Sequence, residues 1–275
     1  MAELPAVWHC IFNILFVLIN AILLNLLIHT NNALRDNNYL GGFIFILLMS
    51  SSTALFLFSP ALVGITFILV ALNLVLAHVK QRASEENIFF TGFFLGLAGL
   101  IYSPYFCLIL ALVLIYFFYT RTIPRRYVLA IFGFLFPYLV IYALTFFIPF
   151  QFEFNELLGQ LDAFELYSNI SPTTYAFILL PLLLSIFELG NNFSGKKMSN
   201  HQLHFQRVMF ILLISAFIIA SLWNVPIAAI ELLVIPIAYF VAQSIMGSRK
   251  VWIREVVSLM IFLAIFLPYL LTANF

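Results

Sequence analysis

Long apolar runs, separated by short polar or proline-containing turns, make up most of the 275-residue chain. The apolar residues are continuous within each run, which favours helices over half-buried strands. Most runs are about 16–23 residues long, and a helix needs about 20 residues to cross a bilayer. We therefore predict an all-α polytopic bundle of about ten transmembrane helices, forming a single integral membrane domain over residues 1–275. The predicted crossings are Ala6–Ile28, Leu40–Phe58, Pro60–Val79, Ile88–Tyr102, Pro104–Tyr119, Tyr127–Phe147, Pro172–Leu189, Phe205–Leu222, Pro226–Met246 and Val251–Leu271.

The composition excludes a water-soluble protein. Hydrophobic residues account for 64% of the chain and charged residues for 8%, whereas a soluble domain carries about 25% charged residues. So few charges could not cover a surface of this size in water. The bilayer is therefore the expected partner of most of the chain.

The basic residues are distributed asymmetrically among the predicted loops. All twelve follow or flank odd-numbered crossings, and none follows an even-numbered one: Arg35; Lys80 and Arg82; Arg121, Arg125 and Arg126; Lys196, Lys197 and Arg207; Arg249, Lys250 and Arg254. Cytoplasmic loops are enriched in Lys and Arg. This pattern predicts that both termini lie outside. The short run Ile88–Tyr102 leaves open a re-entrant pair with the run that follows it, which would not change the orientation.

Prolines mark the other side of the predicted membrane. The odd-numbered crossings open at or just after Pro5, Pro60, Pro104, Pro172 and Pro226, and serine precedes three of these prolines, at Ser59, Ser103 and Ser171. Proline suits the first position of a helix, and serine can cap the free N–H groups there. We expect five helical hairpins, joined by tight outer turns and longer basic inner loops.

One outer connection, residues 150–171, is longer and acidic. It carries Glu153, Glu156, Asp162 and Glu165 but no Lys or Arg, and its apolar residues recur at helical spacing. This pattern predicts an amphipathic helix on the outer surface. We interpret this segment first as a lid or packing element, and second as a functional site whose carboxylates face the outer compartment.

Two stretches resemble a known family. Ala21–Pro60 has an Asn-rich turn before Tyr39 and then Ser59-Pro60, and the run from Glu86 to Tyr138 has spaced glycines, an Arg-rich turn and GFLFPY at 133–138. These features resemble a multi-pass inner-membrane family of Bacteroidota that is known as a domain of unknown function. The resemblance implies a location in the bacterial inner membrane. Members commonly carry one more hydrophobic segment before the equivalent of Pro5, and this chain begins without it.

Two features of the apolar runs stand out as candidates for packing and for function. Gly92, Gly96 and Gly99 remove side chains from one helix face, which allows a neighbouring backbone to approach closely. Glu231 lies five residues after Pro226, about 8 Å inside its helix, with the basic residues predicted on the opposite side. Such an acid needs protonation, hydrogen bonds or a water-filled cavity. Pro236 interrupts the same helix, as in the binding sites of transporters; a packed acid beside an ordinary kink is the alternative.

Two polar stripes are further candidates. His9, Asn13 and Asn20 project from one face of the first helix and could share a cavity with Glu231, although amides can also simply bond neighbouring helices. Tyr138 and Tyr142 form a second stripe, which can equally be an interfacial anchor.

Three functions remain open at this stage. A transporter or flippase-like protein with a polar cavity at Glu231 is favoured over a non-catalytic subunit that packs other membrane proteins through its glycines. Third comes a transferase that uses a polyprenyl-linked sugar, with an acid of residues 150–171 as its base. No catalytic, phosphate-binding or metal-binding motif is present, so a role without catalysis is favoured over an enzyme, and we expect no cofactor or metal. The spread of the basic residues over many loops also argues against nucleic-acid binding.

Overall fold

The computed structural model describes residues 6–34, 39–50, 58–79, 84–119, 124–145, 200–223, 226–247, 255 and 258–259. Regular structure in these ranges is entirely helical, which confirms the predicted all-α class. The helices are α1 Ala6–Thr30, α2 Leu40–Met49, α3 Pro60–Val79, α4 Glu85–Ile101, a 3₁₀ turn Ser103–Cys107, α5 Leu108–Tyr119, α6 Pro124–Thr145, α7 Asn200–Trp223 and α8 Pro226–Gly247. The predicted crossing Pro172–Leu189 and the surface segment 150–171 lie outside the described residues, as does most of Val251–Leu271.

Four of the described helices are long and apolar enough to cross a membrane. The qualifying segments are Trp8–Thr30, Pro60–Ala77, Pro124–Leu144 and Gln202–Ile219. The apolar helices α2, α5 and α8 contribute shorter segments. These lengths and compositions show a protein that associates with a membrane through several helices.

Local signals in the sequence explain several helix ends. α1 ends in a Schellman motif, in which Asn32 takes the left-handed conformation with φ of 47°. The N–H groups of Ala33 and Asn32 donate to the carbonyls of Ile28 and His29, each at 3.0 Å. Asparagine tolerates this conformation better than most residues, which accounts for the Asn-rich turn. At the start of α3, the N–H of Leu62 donates to the Ser59 hydroxyl at 3.1 Å, as the Ser-Pro pattern predicts.

Several predicted boundaries differ from the structure, for example at α6 and α7, which begin at Pro124 and Asn200 and not at Tyr127 and Phe205. α2 ends at Met49 and not at Phe58: the Ser50 hydroxyl donates to the Leu47 carbonyl at 2.9 Å, and residues 51–57 lie outside the described ranges. α5 begins at Leu108, because the stretch with Pro104 forms a 3₁₀ turn that Ser103 does not cap. α4 begins at Glu85, three residues earlier than predicted, with two acids in its first turn, where the helix dipole favours them.

The first of two compact units contains α1, α2, α7 as far as Leu213, and α8 from Ile230 onward. α1 and α2 form an antiparallel hairpin, in which Gly41 lies at Ile28 and Gly42 lies at the backbone carbonyl of Ala21. α7 and α8 are separated by two residues, and the rings of Phe205 and Tyr239 pack with centroids 4.7 Å apart. α1 and α2 thus approach each other closely near the start of α2, and the ring contact joins α7 to α8.

The second unit contains α3 to α6 and the remainder of α7. α3 runs antiparallel to α4. Gly64 lies next to the carbonyl oxygen of Ala98, and the stacked rings of Phe67 and Phe94 have centroids 6.3 Å apart. α6 runs parallel to α4, since Arg125 pairs with Glu85 at 3.4 Å at one end. Aromatic rings also pack between the two helices: the ring centroids of Phe89 on α4 and Phe136 on α6, for example, are 5.8 Å apart.

The three glycines of α4 lie at this crossing. A Cβ atom at Gly92 would meet the carbonyl oxygen of Ala130, and one at Gly96 would meet that of Phe134. Gly133 on α6 approaches the Phe89 carbonyl in the same way. The contact is therefore made backbone to backbone, within the chain.

Burial in α1 is opposite to that of a soluble protein. Asn13 and Asn20 are fully buried, while Ile22 is 67% exposed and Leu26 is 50% exposed. α6 likewise exposes Val128, at 67%, and most of its other large apolar residues. A lipid environment stabilises this arrangement, in which apolar side chains face outward and amides face inward.

Candidate functional site

α8 is surrounded by protein from Glu231 to Ser244. Every side chain from Glu231 to Ser244 is buried, on all faces of the helix. A helix that is buried all round belongs to the interior of its bundle. Glu231 is among these residues, with 1% of its surface exposed. The acid is therefore shielded from lipid by neighbouring protein.

Two features of α8 shape the surroundings of Glu231. Pro236 lies inside the helix, and because proline has no N–H, the carbonyl of Leu232 loses its helical donor. Ala238 and Ala242 lie seven and eleven residues after Glu231, which places them within about 20° of it around the axis. The face that continues from the acid thus carries two of the smallest side chains.

The predicted stripe on α1 is divided in the structure. Asn13 and Asn20 are buried, at 1% and 0% exposure, on the internal face with Val17 and Leu24. His9, near the start of the helix, is exposed. The two asparagines are thus the part of this stripe that can serve an interior site.

A cavity of about 90 Å³ lies between α1 and α2. It is lined by Asn13, Ile14, Val17, Leu18, Ile46, Met49 and Ser50, so two polar groups face five apolar ones. Glu231, His9 and Asn20 do not line it. The volume suits a few water molecules and is well below the roughly 300 Å³ at which pockets for drug-sized ligands begin.

The tyrosine stripe of α6 is also divided. Tyr138 is half-buried at the α4–α6 crossing, where its hydroxyl lies 2.8 Å from the position that a Cβ atom would take on Gly99. Its ring packs against Phe106 at 6.1 Å. Tyr142 is 62% exposed on the apolar face of the helix. Tyr138 thus has a packing role at this crossing, whereas Tyr142, one turn further along α6, is exposed.

Several buried polar residues were not singled out from the sequence, and the largest of these in the first unit lie on α7 and α8. Gln206 on α7 and Tyr239 and Gln243 on α8 are exposed by 4%, 0% and 8%. The signal that could have found two of them is the spacing of Tyr239 and Gln243, four residues apart on one face of an apolar helix. Gln206 lies near the start of α7, and the sequence alone does not distinguish a buried glutamine at a helix end from one at the membrane interface.

The first unit therefore holds a buried carboxyl group, several buried amides and a buried phenol. These groups can exchange hydrogen bonds and protons, but in the part of the chain that is described no three His, Cys, Asp or Glu residues are grouped to hold a metal ion. This chemistry suits binding of a polar molecule inside the membrane.

Comparison with protein families gives a match over residues 4–274, to a family described as "Family of unknown function (DUF6427)". No curated protein and no solved structure matches the chain.

Proposed function

The chain belongs to the family of unknown function DUF6427, and from that premise we propose that it is a transporter or flippase-like membrane protein whose substrate passes Glu231. One observation carries the proposal. Glu231 is 1% exposed, on a helix that neighbouring protein buries on every described face. Burying an ionisable group in a membrane protein is costly, and such groups usually mark pathways for substrates, ions or protons.

The small face of α8 supports the same proposal. Glu231, Ala238 and Ala242 lie along one side of the helix, and the turn between them lacks one backbone hydrogen bond because of Pro236. Interrupted helices with free carbonyls line the substrate sites of many transporters. A narrow polar path along this side of α8 follows from these features.

We further propose the membrane arrangement in which this path would operate. The chain makes about ten crossings of a bacterial inner membrane, of the Bacteroidota type that it resembles, as a single domain with both termini outside. The second unit supports the orientation, because Arg125 and Glu85 pair at one end while Ser59 and the 3₁₀ turn lie at the other. This is the alternation that the basic residues predict.

A non-catalytic subunit is the second candidate, and the broad exposed apolar face of α6 favours it. Its partner would not dock on the glycines of α4, since α6 already covers them. The acids that a transferase would use, Glu153, Glu156, Asp162 and Glu165, lie outside the described residues.

Substituted-cysteine labelling separates transport from solid packing. The free thiols Cys10 and Cys107 are first replaced by serine. In that background Ala238→Cys, which is fully buried, should react with a membrane-impermeant thiosulfonate, because water reaches the Glu231 side of α8. Ala98→Cys is the matched control: it is equally buried, on the packed helix α4, and should not react.

A second substitution connects the labelling to the acid. Adding Glu231→Leu to Ala238→Cys should slow the labelling roughly tenfold, equivalent to 1.4 kcal/mol, because water leaves an apolar helix face. Size-exclusion chromatography checks that this variant remains folded. If Ala238→Cys is as unreactive as Ala98→Cys, α8 is packed solid and the transport proposal fails in favour of the subunit.

A further inference from the structure

Three polar atoms on buried side chains of α7 and α8 have no hydrogen-bond partner among the described residues. They are Nε2 of Gln206, the hydroxyl oxygen of Tyr239 and Oε1 of Gln243. All three side chains are more than nine-tenths buried. A buried donor or acceptor that has lost its water is costly to leave unbonded, so native structures nearly always provide it with a partner. These three groups therefore call for a bound molecule.

The three side chains lie at a similar level along α7 and α8. The ring of Tyr239 packs on Phe205, at 4.7 Å between centroids, and Gln206 is the next residue along α7. Gln243 lies one turn beyond Tyr239 on the same face of α8. The bound molecule can therefore be small.

This length is close to the ends of both helices. Gln243 precedes the end of α8, Gly247, by four residues, and Gln206 follows the start of α7, Asn200, by six, which correspond to about 6 and 9 Å. Water at the membrane interface is therefore near. Glu231 lies eight residues from Tyr239, about 12 Å along the helix.

The chemistry of the side chains defines the occupant. The Gln206 amide nitrogen donates, the Gln243 oxygen accepts and the Tyr239 hydroxyl does either. All three side chains are neutral, so they cannot compensate a formal charge in a low-dielectric interior. Arg207, which follows Gln206, is exposed.

We propose that α7 and α8 enclose a hydrogen-bonding site for a small uncharged molecule that accepts from Gln206 and donates to Gln243, with water as its resting occupant. The site is separate from Glu231 and does not depend on transport. A compact organic solute with a hydroxyl group offers the same donor and acceptor as water, so the test distinguishes the two.

The sign of a stability change tests whether the site is filled. Tyr239→Phe keeps the ring on Phe205 and removes only the hydroxyl. If a bound molecule bridges the three groups, Tyr239→Phe and Gln243→Leu should each lower the melting temperature in detergent by about 2 °C or more. The double variant should lose less than the sum, because both groups hold one molecule. Tyr39→Phe, at an 83% exposed position, is the control and should have no effect.

If both single variants melt higher than the wild type, the groups are unbonded in a dry interior and the proposal is overturned. Radiolytic footprinting of the wild-type protein gives an independent result that does not require any variant to fold. Ordered water next to Tyr239 should lead to oxidation of its ring despite full burial, and an unmodified ring would contradict a resting water.

Glycerol then probes for an organic occupant. If it raises the melting temperature of the wild type more than that of Gln243→Leu, the site also accepts a hydroxyl solute. Equal shifts in the two proteins, together with an oxidised Tyr239, support water alone. Either result is consistent with the site. The site would be excluded if glycerol shifted the melting temperatures of both proteins equally, the Tyr239 ring remained unmodified, and the single variants melted higher than the wild type.

Discussion

Gly92 is the position at which the packing of the second unit is most directly testable. A Cβ atom there would overlap the carbonyl oxygen of Ala130 and lie 2.9 Å from the backbone nitrogen of Phe134. Non-bonded carbon contacts are normally about 3.5–4.0 Å. Because the obstructing atoms belong to the backbone of α6, no side-chain rotation can relieve the clash, and Gly92→Ala must push the two helices apart by about 0.5–1 Å.

Two opposing effects determine how much stability Gly92→Ala should lose. Overpacking of this kind costs about 1–3 kcal/mol, and here it also loosens the packing of the Phe89 and Phe93 rings on Phe136. Replacing glycine by alanine inside a helix returns about 0.5–1 kcal/mol. We expect a net loss of about 1–2 kcal/mol, or a melting temperature that is lower by about 2–8 °C.

The assay is heating of a fluorescent fusion in detergent, followed by size-exclusion chromatography to measure the folded fraction. Gly41→Ala is the matched control, since its Cβ would meet only the end of the flexible Ile28 side chain. That variant should be as stable as the wild type or slightly more so. If Gly92→Ala melts at or above the wild-type temperature while Gly41→Ala behaves as expected, close backbone approach does not stabilise the α4–α6 crossing.

Two further predictions concern the ends of the second unit. The side chains of the Arg125–Glu85 ion pair are 79% and 52% exposed, so solvent and salt should weaken their interaction. A double-mutant cycle with Arg125→Gln and Glu85→Gln should give a coupling energy of at most about 0.5 kcal/mol. A coupling energy above about 1 kcal/mol would contradict this prediction. In the background without Cys10 and Cys107, a membrane-impermeant thiol reagent should modify Arg125→Cys from the cytoplasmic side and Ser59→Cys from the outside. Modification of both from one side would show that the proposed orientation is wrong.

The sequence predicts where the described helices occur better than how they end. Continuous apolar runs located each of them, because length and apolarity are enough to identify a membrane helix, and prolines mark the starts of α3 and α8. Apolarity does not distinguish an α-helix from a 3₁₀ turn, which is why the start of α5 at Leu108 was missed. Spaced glycines indicated a close approach at Gly92 and Gly96, but a lone pattern cannot say which helix approaches. The partner, α6, runs parallel to α4 and follows it by two helices.

The candidate site was predictable where a polar residue interrupts an apolar run. Glu231, Asn13 and Asn20 are buried, as polar residues that face inward from membrane helices should be. The side chain of His9 is exposed although it shares their periodicity, because it lies near the start of α1. Gln206 and Gln243 were missed since periodicity cannot distinguish an interfacial amide from a buried one close to a helix end. Depth within the bundle is a tertiary property.

The two units handle polar groups differently, and this difference suggests where function lies. In the second unit the main crossing is made by glycines and aromatic rings, and the buried Thr91 hydroxyl donates within its own helix, to Asn87 at 2.7 Å. Both units bury phenols, but among the described residues the buried acid and the buried amides all belong to the first unit, and burying such groups is costly in hydrocarbon unless they are used. Variants at Gly92 should therefore alter stability while leaving Ala238→Cys labelling intact in the protein that folds. Variants at Glu231 should do the reverse, so a glycine variant that remains folded yet abolishes the labelling would refute this division of roles.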